Sequence, residues 1–279
     1  MFFRREIGSI KTLDARAVTM DARELRDLVP VVEKLLRDVG AYLLGAQGNV
    51  KTEWKGEDDP VTEADRTAER MLRIGLLAIL PAEFRGEESP WSMWSPNDLC
   101  WLVDPLDGTK AFIAREKGWS ISVALLRGDT LLLGAVHVPL TKETYWAVRG
   151  GGAWRNDVRL NVSAVADGPS ILVSPRLGPL PVGHTFVTYV GAAYKCCLVA
   201  EGRADAYYHY KKGRGVPHPW DLAAGALLVE EAGGRVSHLD GRPLCYNLKD
   251  PLYESFLLSN AHVHESLLAK LPPRKFKGK

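Results

Sequence analysis

The sequence lacks several features that mark large classes of protein. Its 279 residues carry 36 Lys and Arg against 34 Asp and Glu, and this balance excludes a protein that coats nucleic acid or an anionic membrane. No uncharged apolar stretch reaches the length of about 18 residues that a membrane-spanning helix needs. No internal repeat is visible, which excludes solenoids and propellers.

Cysteine is also scarce. Cys100, Cys196, Cys197 and Cys245 have neither the spacing of a zinc site nor that of a disulfide framework. A chain of 279 residues can bury a large core without a structural metal ion or disulfide bonds. The first ten residues contain charges and no apolar run of signal-peptide length. We therefore expect a reduced, cytoplasmic protein, with a solvated basic tail over residues 272–279.

Hydrophobic periodicity predicts two helices near the start of the chain. Apolar residues recur at intervals of three and four over residues 21–44, up to Gly45, and a second helix is predicted over residues 63–80 with Thr62 as its cap. A polar loop is predicted between them, over residues 51–60.

Strand patterns follow. We predict an apolar strand over residues 99–103, an antiparallel meander over residues 120–127, 130–138 and 144–148, and later helices over residues 192–201 and 220–232. The second half thus alternates short strands with helices. A soft boundary near residue 160 predicts an N-terminal α+β subdomain, 1–160, and a C-terminal α/β subdomain, 161–279, packed as one body.

Acidic residues follow a predicted strand in a pattern that suits a metal site. The apolar strand delivers Asp104 to its C-terminal end, and Asp107 follows three residues later, so both carboxylates can face one point. Such oxygen ligands suit Mg²⁺ or Mn²⁺ and not zinc. Gly108 allows a phosphate to approach the backbone, and Thr109 offers a hydroxyl. A tight surface turn explains this segment equally well.

Three other acidic segments are ambiguous when each is taken alone. Asp221 is suited to cap a helix, Glu87 lies in a segment typical of a solvated loop, and Asp65 follows Thr62 at the spacing of a capping box. The occurrence of all these segments in one chain and in one order favours a shared site.

Together these segments resemble the inositol monophosphatase superfamily of magnesium-dependent, lithium-sensitive phosphatases. Residues 59–65 are similar to its D-x-V-T-x-x-D helix start, 86–89 to its GEES segment, 104–109 to D-P-[IL]-D-G-T and 220–225 to W-D-x-A-A-G. The resemblance covers residues 25–241. It implies a homodimer and an α+β or α/β fold, a layered αβαβα sandwich with a larger, mainly antiparallel sheet and a smaller second sheet.

The resemblance also implies roles for individual residues. One Mg²⁺ would be held by Glu87, Asp104 and the backbone carbonyl of Leu106, a second by Asp104, Asp107 and Asp221, and a third, weaker ion by Glu87; Mn²⁺ could replace Mg²⁺. The catalytic residues would be Asp65 and Thr109, which orient and deprotonate the attacking water, together with Glu87. The substrate contacts would come from Gly108, Thr109, Gly191, Ala192 and Lys195.

The expected partner is a small phosphate ester, and not a nucleic acid polymer or a membrane. Lys110, Phe112 and Lys195 resemble the 3′(2′),5′-bisphosphate nucleotidases, which makes 3′-phosphoadenosine 5′-phosphate the leading substrate. Residues 204–208 are closer to the inositol enzymes, but His209 stands where those have glutamate. Inositol monophosphatase and fructose-1,6-bisphosphatase activities are the alternatives, and a metal- or phosphate-binding scaffold without turnover is the non-enzyme alternative.

Other phosphatase chemistries do not fit the spacing. Haloacid-dehalogenase enzymes place two aspartates two residues apart, whereas Asp104 and Asp107 are three apart. No GxxxxGK[ST] phosphate-binding loop is present.

Overall fold

The computed structural model describes residues 20–49, 52–56, 59–174, 180–188, 190–210, 217–249, 253 and 255–271. The predicted basic tail lies outside them. The helices within this part of the chain are α1 (Ala22–Ala46), α2 (Glu63–Ile79), α3 (Thr109–Ile113), α4 (Ala192–Ala200), α5 (Pro219–Glu231) and α6 (His264–Lys270). The strands are β1 (Thr52–Gly56), β2 (Asp59–Thr62), β3 (Glu83–Gly86), β4 (Leu99–Asp107), β5 (Ser120–Arg127), β6 (Thr130–Val138), β7 (Glu143–Val148), β8 (Gly152–Arg155), β9 (Val158–Arg159), β10 (Ser170–Val173), β11 (His184–Val187), β12 (Ala206–Tyr210), β13 (Gly234–Ser237) and β14 (Ser255–Asn260).

The first two helices begin with capping boxes, in which a side chain satisfies a backbone N–H that the helix leaves open. The Asp21 side chain caps α1, and Thr62 caps α2 as the sequence predicted. The predicted end of α1 at Gly45 is wrong. The backbone N–H of Gln47 still donates to the carbonyl of Leu43, because glycine inside a helix costs only about 1 kcal/mol.

The larger sheet has seven strands in the order β3-β4-β5-β6-β7-β8-β9. Its neighbouring strands are antiparallel except for the β3–β4 pair, which is parallel. Helices α1 and α2 pack on one face, where their apolar side chains meet those of the sheet, Trp101 among them. The segment predicted as a polar loop contains the antiparallel pair β1–β2.

The smaller sheet has five strands in the order β11-β10-β12-β14-β13, with both parallel and antiparallel pairs. Helices α4 and α5 lie between the two sheets, and α5 is therefore buried all round, with no polar face. Helix α6 covers the outer face of the smaller sheet, where Leu267 contacts the core that contains Ile171.

The predicted layered αβαβα sandwich is confirmed. The chain leaves the larger sheet after β9 and enters the smaller one at β10, while α4 and α5 pack against strands of both sheets. Division into subdomains at residue 160 stays a prediction. None of the described helices combines the length and apolarity needed to cross a lipid bilayer.

Candidate active site

Three carboxylates, two from the end of β4 and one from the first turn of α5, meet at one point. One oxygen from each of Asp104, Asp107 and Asp221 lies within 4.8 Å of the others. Asp104 and Asp107 are buried, and Asp221 is half-buried. Within the described residues, no other group of three metal-ligating side chains is this close. Side chains from two separate motifs, residues 104–109 and 220–225, are thus brought to one point.

The end of β4 is shaped so that both of its carboxylates face this point. The register with β5 is interrupted between Asp104 and Asp107, next to Pro105, which has no N–H to give to the sheet. The N–H of Leu106 instead donates to the Asp104 carboxylate at 2.9 Å. Gly108 follows with a φ of 93°, a left-handed conformation that glycine adopts without strain, and the chain turns into α3.

Asp107 is held by the N-terminus of α4. Its two carboxylate oxygens accept the backbone N–H groups of Ala192 and Ala193, each at 2.9 Å, and the hydroxyl of Ser120 at 3.2 Å. Gly191 must be glycine here, since a Cβ would lie 2.1 Å from an Asp107 oxygen. The Ala192 amide is thus already bonded to Asp107, and the substrate contacts of Gly191 and Ala192 stay predictions.

Lys195, another predicted substrate contact, lies in the first turn of α4, and that contact stays a prediction. Its side chain is buried, and Nζ donates to the carbonyl of Val190 at 2.7 Å and lies 5.2 Å from the ring centre of Tyr207. Burial lowers the pKa of Lys195 to about 8, and the nearby charges of Asp107 and Asp221 oppose that shift. The ammonium group therefore balances these two carboxylates from within the protein.

Asp65 and Thr109 form the pair that the resemblance implied. The Thr109 hydroxyl is 3.3 Å from an Asp65 oxygen and 3.2 Å from the carbonyl of Leu106. The second Asp65 oxygen accepts the N–H of Thr62 at 2.8 Å and its hydroxyl at 2.5 Å. Buried at the start of α2, Asp65 is thus fixed in orientation by the helix cap itself.

Glu87 follows β3, and its charge raises the pKa of Asp104, although it does not join the 4.8 Å group. Its backbone N–H donates to the carbonyl of Val103 at 3.1 Å, which ties the loop to the residue before Asp104. Asp221 lies in the first turn of α5 and accepts the N–H of His218 at 2.7 Å. The residue at the N-cap of α5 is His218 and not Asp221, which instead accepts the N–H of that cap while it contributes to the acidic group.

The electrostatics of the group favour a divalent cation. Burial, followed by the charges of Glu87, Asp107 and Asp221, raises the pKa of Asp104 well above its usual value. Burial and Asp221 raise the pKa of Asp107 to about 6, although Lys195 and two amides of α4 oppose the shift. Oxygen donors crowded in this way fit Mg²⁺, which prefers hard oxygen ligands.

Two supporting residues were missed by sequence reasoning. Ser120 bonds to Asp107, and nothing in its sequence context indicates this role. Glu69 bonds to the segment that carries Glu87. Its position was a usable signal, because a residue four places after Asp65 lies on the same face of the helix.

Comparisons with known proteins agree with this geometry. Residues 24–274 match the model of the inositol monophosphatase family. The chain is 30% identical over 256 residues to the fructose-1,6-bisphosphatase/inositol-1-monophosphatase of Thermotoga maritima, covering 84% of this chain and 92% of the relative. It is 34% identical over 216 residues to the 3′(2′),5′-bisphosphate nucleotidase CysQ of Salmonella typhimurium, covering 73% and 84%.

A solved structure shows the same architecture. The extragenic suppressor protein suhB of Bartonella henselae superposes with a TM-score of 0.77 at 27% identity, covering 89% of this chain and 100% of that one. The family model spans most of the chain, and the residues of the acidic group lie within the matched range. The chain therefore belongs to the inositol monophosphatase family of phosphoric monoester hydrolases.

Proposed function

We propose that this protein hydrolyses a small phosphate monoester with Mg²⁺ held by Asp104, Asp107 and Asp221, together with Glu87 and the carbonyl of Leu106. The main support is the meeting of three carboxylates within 4.8 Å. When bound there, Mg²⁺ ions would supply positive charge that activates water and offsets the charge developing on the phosphoryl oxygens. Two ions are expected at the aspartates and a third at Glu87, and Mn²⁺ could replace them.

Asp65 and Thr109 would act on the attacking water. With its proton held by the Asp65 oxygen 3.3 Å away, Thr109 Oγ1 would be free to accept a hydrogen bond from water. Asp65 cannot turn away without breaking its bonds to Thr62. The pair therefore offers a fixed acceptor for the proton that the water loses, and it would do so beside the aspartate group.

The leading substrate is 3′-phosphoadenosine 5′-phosphate. Support comes from the similarity to CysQ and from His209, whose ring is buried and stacks on Phe256 with 5.2 Å between ring centres. Burial lowers the pKa of His209 to about 4, so the ring is neutral at pH 7, and its Nε2 has no hydrogen-bond partner within the described residues. A carboxylate there could accept from two neighbouring inositol hydroxyls, whereas a neutral imidazole nitrogen makes one bond.

Inositol 1-phosphate and fructose 1,6-bisphosphate are the second candidates. The Thermotoga maritima relative, whose name carries both activities, covers more of this chain than CysQ does. We also propose that the protein is a cytoplasmic homodimer, which sedimentation velocity and cell fractionation would test.

A substrate panel tests the proposal. Purified protein with Mg²⁺ would be assayed for phosphate release from 3′-phosphoadenosine 5′-phosphate, inositol 1-phosphate and fructose 1,6-bisphosphate, with the Asp104→Asn variant as the inactive control. We expect the highest kcat/KM for the nucleotide. A higher value for either sugar phosphate would transfer the assignment to that ester. Bound Mg²⁺ with no release from any ester would support the scaffold alternative instead.

A further inference from the structure

Glu69 makes two hydrogen bonds to the segment that carries Glu87. It lies on α2 and is only 6% exposed. One carboxylate oxygen accepts the backbone N–H of Glu88 at 2.7 Å, and the other accepts the hydroxyl of Ser89 at 2.5 Å. A single buried carboxylate therefore fixes two consecutive residues of the loop directly after Glu87.

Gly86 leaves the space that this contact requires. A Cβ at Gly86 would lie 2.2 Å from one Glu69 oxygen and 3.0 Å from the other. Its φ is not in the left-handed region, so the absence of a side chain is required by the contact and not by the backbone conformation. Gly86 is also the last residue of β3, paired with Val103. The loop is thus clamped between the strand on one side and Glu69 on the other.

We infer that Glu69 is the positioning residue for Glu87, and that it sets the affinity of the site for Mg²⁺; this inference rests on the proposed function. Glu69 and Asp65 are four residues apart on one rigid helix, so α2 fixes both the acceptor pair of Asp65 with Thr109 and the loop of Glu87. Removing hydrogen bonds that orient metal ligands typically changes metal affinity by about 10- to 100-fold. The bonds of Glu69 orient Glu87 through the two residues that follow it.

Four variants test this role by isothermal titration of the whole protein with Mg²⁺, alongside the Mg²⁺ concentration for half-maximal phosphate release. Glu69→Ala should weaken binding by about 10- to 100-fold. Glu69→Gln should restore most of it, because its carbonyl can accept from Glu88 while its amide donates to the Ser89 oxygen. Gly86→Ala should weaken binding by displacing the carboxylate. Adding it to Glu69→Ala should change little, because the space is then open.

Glu201→Ala is the matched control. Glu201 is a glutamate with a buried side chain at the C-terminal end of α4, opposite the end that holds Asp107, and it is bonded to Arg155 at 2.7 Å and to Arg203 at 3.1 Å. The Glu201→Ala substitution should lower the melting temperature of the protein and leave its affinity for Mg²⁺ unchanged. A purely structural role for Glu69 would make Glu69→Ala behave like this control, and that result would overturn the inference. So would fully additive effects of the Glu69 and Gly86 substitutions. If the unaltered protein takes up no Mg²⁺, the proposed function itself fails.

Discussion

Replacing Asp104 with Asn should stabilise the metal-free protein while removing its activity. The Asp104 oxygen is within 4.8 Å of oxygens from both Asp107 and Asp221. At an effective dielectric constant of about 20, two unit charges about 5 Å apart repel each other by about 3 kcal/mol. Partial protonation relieves some of this repulsion. We therefore expect the free energy of unfolding to rise by about 1–3 kcal/mol in the metal-free variant.

Asn is the informative substitution because it preserves local structure. Its amide oxygen can still accept the N–H of Leu106, which Asp104 accepts at 2.9 Å. A gain of about 1–3 kcal/mol corresponds to a rise of about 2–9 °C in melting temperature for a chain of this size. With Mg²⁺ at about 1,000 times its Kd the order should reverse, because the bound ligand then adds about 4.1 kcal/mol to the native protein and the variant forfeits most of that gain.

The assay is differential scanning calorimetry of both proteins with EDTA and with Mg²⁺, together with phosphate release. Asp205→Asn is the control, since Asp205 is a buried carboxylate outside the acidic group that accepts the Ser163 hydroxyl and the N–H of Ser170. It should lower the melting temperature and keep the full response to Mg²⁺. The reasoning is refuted if Asp104→Asn is destabilised in EDTA like this control and still responds to Mg²⁺ as the unaltered protein does.

Three further substitutions follow from the geometry. Gly191→Ala places a Cβ 2.1 Å from an Asp107 oxygen, so phosphate release should fall at least about tenfold with the circular dichroism spectrum retained; an unaltered rate would contradict the fixed position of Asp107. Thr109→Val should lower kcat by about 10²- to 10⁴-fold, while the Mg²⁺ concentration for half-maximal activity stays unchanged. Thr109→Ser should recover most of the lost kcat, because it keeps the hydroxyl. An equal loss of kcat in both variants would contradict a role for the hydroxyl. His264 is buried between the hydroxyls of Ser237 and Ser259, and burial lowers its pKa to about 4. The unfolded chain therefore binds a proton at this residue before the folded protein does as pH falls below about 6.5. His264 alone should lower the unfolding free energy by about 2 kcal/mol from pH 7 to 5, and His264→Gln should remove that part of the pH dependence in urea titrations. His137 and His209, whose pKa values burial also lowers to about 4, should keep their own contributions.

Local patterns predicted the elements that local physics controls. The Thr62 cap and the placing of Asp104 near the end of a buried strand depend on a few neighbouring residues, and both are present in the structure. The pair β1–β2 was missed because residues 51–60 have a polar composition that looks the same in a loop and in a short hairpin. The end of α1 was placed too early, at Gly45, because glycine follows the last residue of many helices but can also lie inside a helix.

The hydrogen bonds that hold the site residues in place could not be predicted from local sequence. Asp107 and the Ala192 amide are 85 residues apart, and their bond exists because α4 is packed between the two sheets. The same packing buries Lys195, whose charge suggested an exposed contact for a second phosphate. The sequence shows that a lysine is present, but only the packing of α4 between the sheets shows that this lysine is buried near Asp107 and Asp221.

The ambiguity between helix caps and metal ligands has a physical origin in this fold. Asp65 and Asp221 each lie in the first turn of a helix, and Asp107 accepts the N-terminal amides of α4. Helix N-termini carry partial positive charge, which stabilises carboxylates that are close enough to repel one another. The N-termini of α4 and α5 therefore help the chain to keep Asp107 and Asp221 together before any cation binds. The same aspartate can therefore bond to a helix N-terminus and also bind a metal ion. For this reason, a capping motif found in a chain that also has a D-P-x-D-G-T strand end is evidence for a metal site and not against it.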